Sequence, residues 1–175
     1  MQKEMFRRNP GIGIIYFWGH TPTPGKINMS CFSQWYDCNF EVDGVTYHTA
    51  EQYMMAQKAV LFGDVEVLAE IMAASSPDAY KKLGRKIRGF DPTKWDAAKY
   101  DIVLKGNLAK FGQHPELLAF LLSTGDALLA EASPYDRIWG IGLGRADAKK
   151  GTPLDWQGQN LLGCVLMDVR ARLSV

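Results

Sequence analysis

Apolar positions along this chain fall into short β-like runs near the N-terminus and longer stretches at helical spacing after residue 48. The run Ile14-Ile15-Tyr16-Phe17-Trp18 predicts a strand within residues 12–18, closed by the loop His20-Thr21-Pro22-Thr23-Pro24-Gly25. Residues 40–47 place Asp43-Gly44 between two β-rich flanks, the pair that best suits a two-residue hairpin turn. Thr49 and Gln52 have the spacing of a helix capping box, and Tyr53-Met54-Met55-Ala56-Gln57-Lys58-Ala59 continues as a helix. A second helix is predicted over Val65–Ala73 behind Asp64. Ser76-Pro77 opens a third toward Gly84, with proline at its first position. Asp91-Pro92 repeats that signal for a long helix stopped near Gly112, and His114-Pro115 begins another that ends at Gly125.

Leu128-Leu129-Ala130-Glu131 reads as a strand, and the glycine-rich stretch 136–158 as mostly irregular. A last helix over 160–173 carries Leu162, Val165, Leu166, Val169 and Leu173 at helical spacing. No repeat, low-complexity tract or linker interrupts the pattern. The expected architecture is therefore a helix-rich α+β fold with a small sheet, one domain over residues 1–175 with its core at about 14–173.

Composition narrows the chemistry. Hydrophobic residues make up 47% and charged residues 22% of the 175, as in globular domains. Twenty lysines and arginines face 19 aspartates and glutamates, so binding driven by bulk positive charge is excluded, although a local basic cluster is not. The N-terminus lacks the apolar core of a signal peptide, no run is long enough to cross a bilayer, and a cytoplasmic protein is expected. Three cysteines with no Cys-x-x-Cys and three scattered histidines give no disulfide framework, and no metal site is expected. Five tryptophans and 17 glycines are the unusual feature.

Four constellations hold candidate chemistry. Glu51 and Lys58 lie two helical turns apart and share a stripe with Met55 and Phe62. They are either the snorkelling ends of a surface helix or a carboxylate–amine pair with environment-tuned acidity. In Asp136-Arg137-Ile138-Trp139-Gly140-Ile141-Gly142-Leu143-Gly144, the glycines permit close backbone approach to a ligand and Trp139 offers a flat face; the alternative is a tight loop around a core tryptophan. Asn160 is placed to cap the last helix, or to stand beside free amides that hold an anion. The basic segment 81–88 is either a solvated helix end or supplies a phosphate clamp from a residue such as Arg85. Core packing is the expected role of Trp18, Trp35 and Trp156.

The order of these pieces resembles the NADAR, or YbiA-like, family. The resemblance rests on Thr49 through Ala59, Leu83-Gly84-Arg85, the lone Trp95, Lys110-Phe111, Thr124-Gly125 with Leu129 and Glu131, Asp136 through Gly142, Gly158 through Gly163, and Leu166-Met167-Asp168-Val169-Arg170. It implies an N-glycosidase without metal or redox cofactor. The family's functional glutamate, tryptophan and aspartate fall on Glu51, Trp95 and Asp136, its motif lysine on Lys58 and its motif asparagine on Asn160. Two departures stand out. Ser33-Gln34-Trp35 replaces a frequent Ser-Asn-Phe, and Ile141 occupies a position where some members carry a second aspartate.

The resemblance implies two kinds of substrate, both with ribose C1 on an exocyclic amine: guanine ADP-ribosylated on its amino group, in nucleotides, DNA or RNA, and ribosylamino-pyrimidine phosphates of early riboflavin synthesis. An ADP-ribosyltransferase toxin is the partner implied by the first. Glu51 or Asp136 would support an oxocarbenium-like centre and activate water, or Lys58 would form a Schiff base with the opened sugar. Trp95, Trp139, Gly140 and Gly142 would wall the base and ribose, and Arg85 or the amides near Asn160 would hold phosphate. Arg145, Lys149 and Lys150 suit a larger phosphorylated substrate and favour ADP-ribosyl-guanine. A module that binds ADP-ribose or NAD without cleaving it is the competing class; it has no need of a carboxylate–amine pair.

Overall fold

Side chains at the predicted start signals cap the helices they precede. In the computed structural model, which describes residues 1–174, Thr49 accepts from the Gln52 amide, Asp64 from Val67, Ser76 from Ala79, and Asp91 from Thr93 and Lys94. The elements in chain order are α1 (Gln2–Arg8), β1 (Ile14–Phe17), β2 (Phe40–Val42), β3 (Val45–Tyr47), α2 (Ala50–Phe62), α3 (Val65–Ala73), α4 (Pro77–Gly84), α5 (Pro92–Gln113), α6 (Pro115–Leu122), β4 (Leu128–Glu131), α7 (Arg145–Ala148) and α8 (Leu161–Leu173). The result is a helix-rich α+β protein with two small two-stranded sheets.

Several details differ from expectation, among them α1 and a 3-10 turn over Met29–Phe32, neither of which the apolar pattern predicts. Only half of the capping box forms, because Gln52 Oε1 accepts from the His48 amide at 2.7 Å instead of from that of Thr49. Helix α6 stops at Leu122, before Gly125, where the Ser123 and Thr124 hydroxyls donate back to the Phe120 and Leu121 carbonyls. The glycine-rich stretch contains α7 and a 3-10 turn over Pro153–Asp155 capped by Thr152.

Two compact units form. Residues 34–114 make one of them, built around α2, which packs on α3, α4 and α5. Burial of Ala50 through Ala56 and of Ala59 explains the near absence of an exposed face on α2. Helix α5 comes closest at Gly106, where any side chain would strike the Tyr53 ring. The hairpin β2–β3 pairs Phe40 with Tyr47 and Val42 with Val45. Its turn residues Asp43 and Gly44 both have positive φ (52° and 78°), as a primed turn requires. Tyr53 stands edge-on to Tyr47 at 5.0 Å, and burial pushes its hydroxyl pKa to about 12.

The other unit comprises Met1–Ser33 and the chain from Pro115 onward. Here β1 and β4 pair in parallel, Ile14 opposite Leu128 and Phe17 opposite Glu131. Helix α8 packs on β4 with Gly163 at the crossing, where a Cβ would collide with the Leu129 carbonyl. Tyr16, Ala130, Ala132, Ile141, Ala148 and Trp156 form a buried cluster, with Tyr16 and Trp156 edge-to-face at 6.3 Å. Among the described residues, no helix is long and apolar enough to cross a membrane.

Candidate active site

Helix α2 presents Glu51 and Lys58 on the side that meets α4 and the segment leading to α5. Glu51 occupies the first turn, where its charge suits the helix N-terminus, and its amide donates to the Gln34 carbonyl at 2.9 Å. Its residue surface is 5% exposed. Lys58, two turns on, is half-buried. Its Nζ donates to the Gly84 carbonyl at 2.9 Å and stands 4.5 Å from the Phe90 ring centre and 5.5 Å from that of Trp95. Burial is the main cause of a lowered Lys58 pKa; Glu51 opposes the shift and Arg85 adds to it. On this stripe Glu51 and Met55 are buried while Lys58 and Phe62 are partly exposed, so its carboxylate end is not the solvated end of a surface helix.

The basic segment resolves residue by residue. Arg88 donates to both Asp64 carboxylate oxygens from one edge of its guanidinium, Nη2 at 2.7 Å and Nε at 3.1 Å, and also pairs with Glu66. Lys82 pairs with Asp78, and Lys81 lies over the Trp35 ring. Arg85 is exposed, and it is the member whose charge acts on Lys58.

In the unit containing both chain ends, Asp136 Oδ1 accepts from the Ile138 and Trp139 amides, each at 2.8 Å. This turn holds Asp136 and Trp139 partly exposed. Gly140 has no room for a side chain against the Asp136 and Glu131 carbonyls, and Gly142 has a φ of 70°. Both glycines thus serve the turn's own backbone. Ile141 is fully buried in the apolar cluster, so an aspartate there would lack solvation.

Asn160 departs from expectation. It precedes α8 in a left-handed conformation (φ 54°) and makes no capping bond. Fully buried, its side chain accepts from the Glu131 amide at 3.0 Å and donates to the Leu129 carbonyl at 2.8 Å, tying α8 to β4. The Asn160, Leu161 and Leu162 amides donate to the Gly140, Ile138 and Trp139 carbonyls. These amides, expected to hold phosphate, are engaged by the turn itself, and the Asn160 side chain is spent on β4.

Other placements were not legible beforehand. Phe90, in the loop before α5, lies nearer Lys58 than Trp95 does; its only signal is an aromatic beside the Asp91-Pro92 helix start. The Gly84 carbonyl, a backbone group, has none. Trp156 is buried as expected, but Trp18 is 63% exposed beside Tyr135, 87% exposed, with ring centres 6.4 Å apart.

A family model described as the NADAR domain matches residues 16–174. The chain is 46% identical over 160 residues to N-glycosidase R617 of Acanthamoeba polyphaga mimivirus, covering 89% of this chain and 94% of that one. It is 35% identical over 162 residues to N-glycosidase YbiA of Escherichia coli (strain K12), covering 93% and 89%. The NMR structure of the E. coli protein YbiA superposes with a TM-score of 0.74 at 33% identity, over 93% of this chain and 85% of that one.

Proposed function

The chain belongs to the NADAR family and is an N-glycosidase, and from that premise we propose that it hydrolyses the bond between ribose C1 and an exocyclic amine of a nucleobase. The observation that carries this reading is Lys58: a half-buried amine with lowered pKa, its Nζ 4.5 Å from the Phe90 ring centre and 5.5 Å from that of Trp95, and influenced by Glu51. A lysine needs its neutral form to attack carbon, and burial supplies more of it at neutral pH.

On the Schiff-base route the N,O-acetal opens its sugar ring: the C1–O4 bond breaks as the exocyclic amine gives up its proton and the ring oxygen gains one, leaving C1 doubly bonded to the base nitrogen. Neutral Lys58 adds to C1. A proton delivered through Glu51 lets the base depart as the free amine, and the C1–Lys58 imine remains. Water then adds to C1, Glu51 takes its proton, and the sugar leaves as the aldehyde with Lys58 restored. Trp95 shields C1 from bulk water. On the direct route Glu51 activates water without a covalent step. Asp136 is the second carboxylate assigned by the family resemblance, and Trp139 beside it is a candidate stacking surface.

We favour ADP-ribose on the guanine amino group as the substrate, in a nucleotide or in DNA or RNA. Arg145 and Lys149 stay exposed for a diphosphate, while Lys150 is tied to Asp147 at 2.7 Å. An ADP-ribosyltransferase that installs the modification is the partner class this reading implies. The second reading, a ribosylamino-pyrimidine phosphate, is favoured by the single arginine, Arg85, that acts on Lys58, since one guanidinium suits one phosphate.

The test is to incubate the protein with an ADP-ribosylated guanosine oligonucleotide and, separately, with the ribosylamino pyrimidine phosphate. Borohydride is then added and the peptide carrying Lys58 is weighed. A sugar adduct on Lys58 with either substrate supports the Schiff-base route, whereas turnover with an unmodified lysine leaves the direct route. Release of sugar phosphate from neither substrate overturns the function. Replacing Glu51→Gln should abolish turnover while the fold persists.

A further inference from the structure

Two buried amides beside Glu51 are incompletely matched. Gln34, whose carbonyl accepts from the Glu51 amide, is 8% exposed, and Asn107 on α5 is fully buried. Asn107 Nδ2 donates to the Val103 carbonyl and to Gln34 Oε1, each at 2.9 Å. The Val103 carbonyl can only accept, so the Asn107 nitrogen must face it. The Gln34 oxygen must then face that same nitrogen, because turning the Gln34 amide over would oppose two donors. Both amides are thus oriented by groups that cannot be exchanged. Left over are Gln34 Nε2, a donor, and Asn107 Oδ1, an acceptor, both buried without a hydrogen-bond partner. Folded proteins seldom leave such atoms unmatched, and a ligand is one of the few explanations.

We infer that Gln34 Nε2 and Asn107 Oδ1 read the lactam edge, the adjacent ring C=O and N–H, of the base whose amine carries the ribose. This rests on the proposed function and names the base it selects. Gln34 Nε2 donates to the ring carbonyl, and Asn107 Oδ1 accepts from the ring N–H. In guanine that edge adjoins the amino group, so reading it beside Glu51 aligns the ribosylated nitrogen. A base with a bare ring nitrogen and no carbonyl would leave both protein groups unmatched, and buried sites of that kind discriminate strongly.

The experiment measures binding of two ribosides by calorimetry, guanosine and 2-aminopurine riboside, which lacks the carbonyl and the ring N–H. The wild type should bind guanosine at least about tenfold more tightly. Gln34→Met, similar in length and without the amide, should bring the two affinities together by weakening guanosine alone. Gln34→Glu keeps an oxygen toward Asn107 and puts an acceptor where the donor stood. It should weaken guanosine further without weakening 2-aminopurine riboside, and it serves in its place if the methionine variant does not fold. Equal affinity for the two ribosides in the wild type, or an equal loss for both in the variants, overturns the inference and makes the amide pair structural. Because binding is measured without turnover, a protein that discriminates the ribosides but cleaves no ribosylated amine would refute the proposed function and leave the lactam site standing.

Discussion

Lys58 and Gly84 are joined by a 2.9 Å hydrogen bond from the lysine ammonium to the glycine carbonyl, and Gly84 is also where α4 presses on α2. A Cβ on Gly84 would overlap the Met55 sulfur. The closeness of the helices and the placement of the amine are therefore one feature. Glycine is needed here for want of space.

Gly84→Ala should accordingly destabilise the fold by about 1–3 kcal/mol, typical of overpacking, and should lower kcat by displacing the carbonyl that holds Lys58. Adding Met55→Ala should restore much of both. Thermal melts and steady-state rates of the two variants check this; a single variant with normal kcat would remove Gly84 from the placement of Lys58.

The acidity of Lys58 gives a signed prediction. Burial lowers its pKa below the ordinary lysine value, Glu51 raises it and Arg85 lowers it. The neutral amine thus appears at lower pH than in an exposed lysine, and its reaction rate with an amine-selective reagent should rise with pH along a correspondingly early limb. Glu51→Gln removes the raising charge and should move that limb to lower pH; Arg85→Gln removes the lowering charge and should move it to higher pH. Peptide mass spectrometry of Lys58 labelling across pH measures both shifts. Opposite or absent movement would separate these charges from Lys58.

How far the sequence foretold this arrangement depends on whether a signal is local. Capping residues act within one turn, so Asp64, Ser76 and Asp91 announce their helices from composition alone. Asp43-Gly44 announces its hairpin because few other pairs take up positive φ so readily. Glu51 and Lys58 were legible as one stripe because helical spacing sets it. What that stripe packs against was not, since α4 and Phe90 reach it through tertiary contact. Asn160 misled for the same reason. An asparagine before a helix usually caps it, but here β4 offers two backbone groups that bind the amide in preference. Trp18 misled oppositely: it ends a strand run whose buried partners stop at Phe17, and lies on the surface.

Asp64 predicts the acid limit of the fold. Its carboxylate is held far below the usual range, chiefly by the Arg88 guanidinium and then by the Arg88 amide. A depressed folded-state pKa adds stability that is present above the unfolded value of about 3.9 and lost as pH falls toward the folded one. Asp64→Asn should therefore melt well below the wild type at pH 7, and the gap should narrow below about pH 4 as the wild type loses its own advantage. A gap independent of pH would assign the loss to the cap on α3 alone, since an asparagine retains that cap poorly or well at any pH.

Asn160 separates positioning from recognition. Asn160→Ala would strand the Glu131 amide and the Leu129 carbonyl that its side chain now serves. Each unmatched group costs on the order of 1–3 kcal/mol, so a large fall in the melting temperature is expected. A residue that contacted phosphate would instead raise KM with little change in stability. Gly163→Ala should reproduce the stability loss, because its Cβ strikes the same Leu129 carbonyl and the Asn160 amide, although alanine at 163 adds no charge and removes no polar group. Matching losses of stability in both variants, with KM unchanged in whatever fraction remains folded, would fix Asn160 as the brace between α8 and β4. A rise in KM for Asn160→Ala that Gly163→Ala does not share would return it to the substrate.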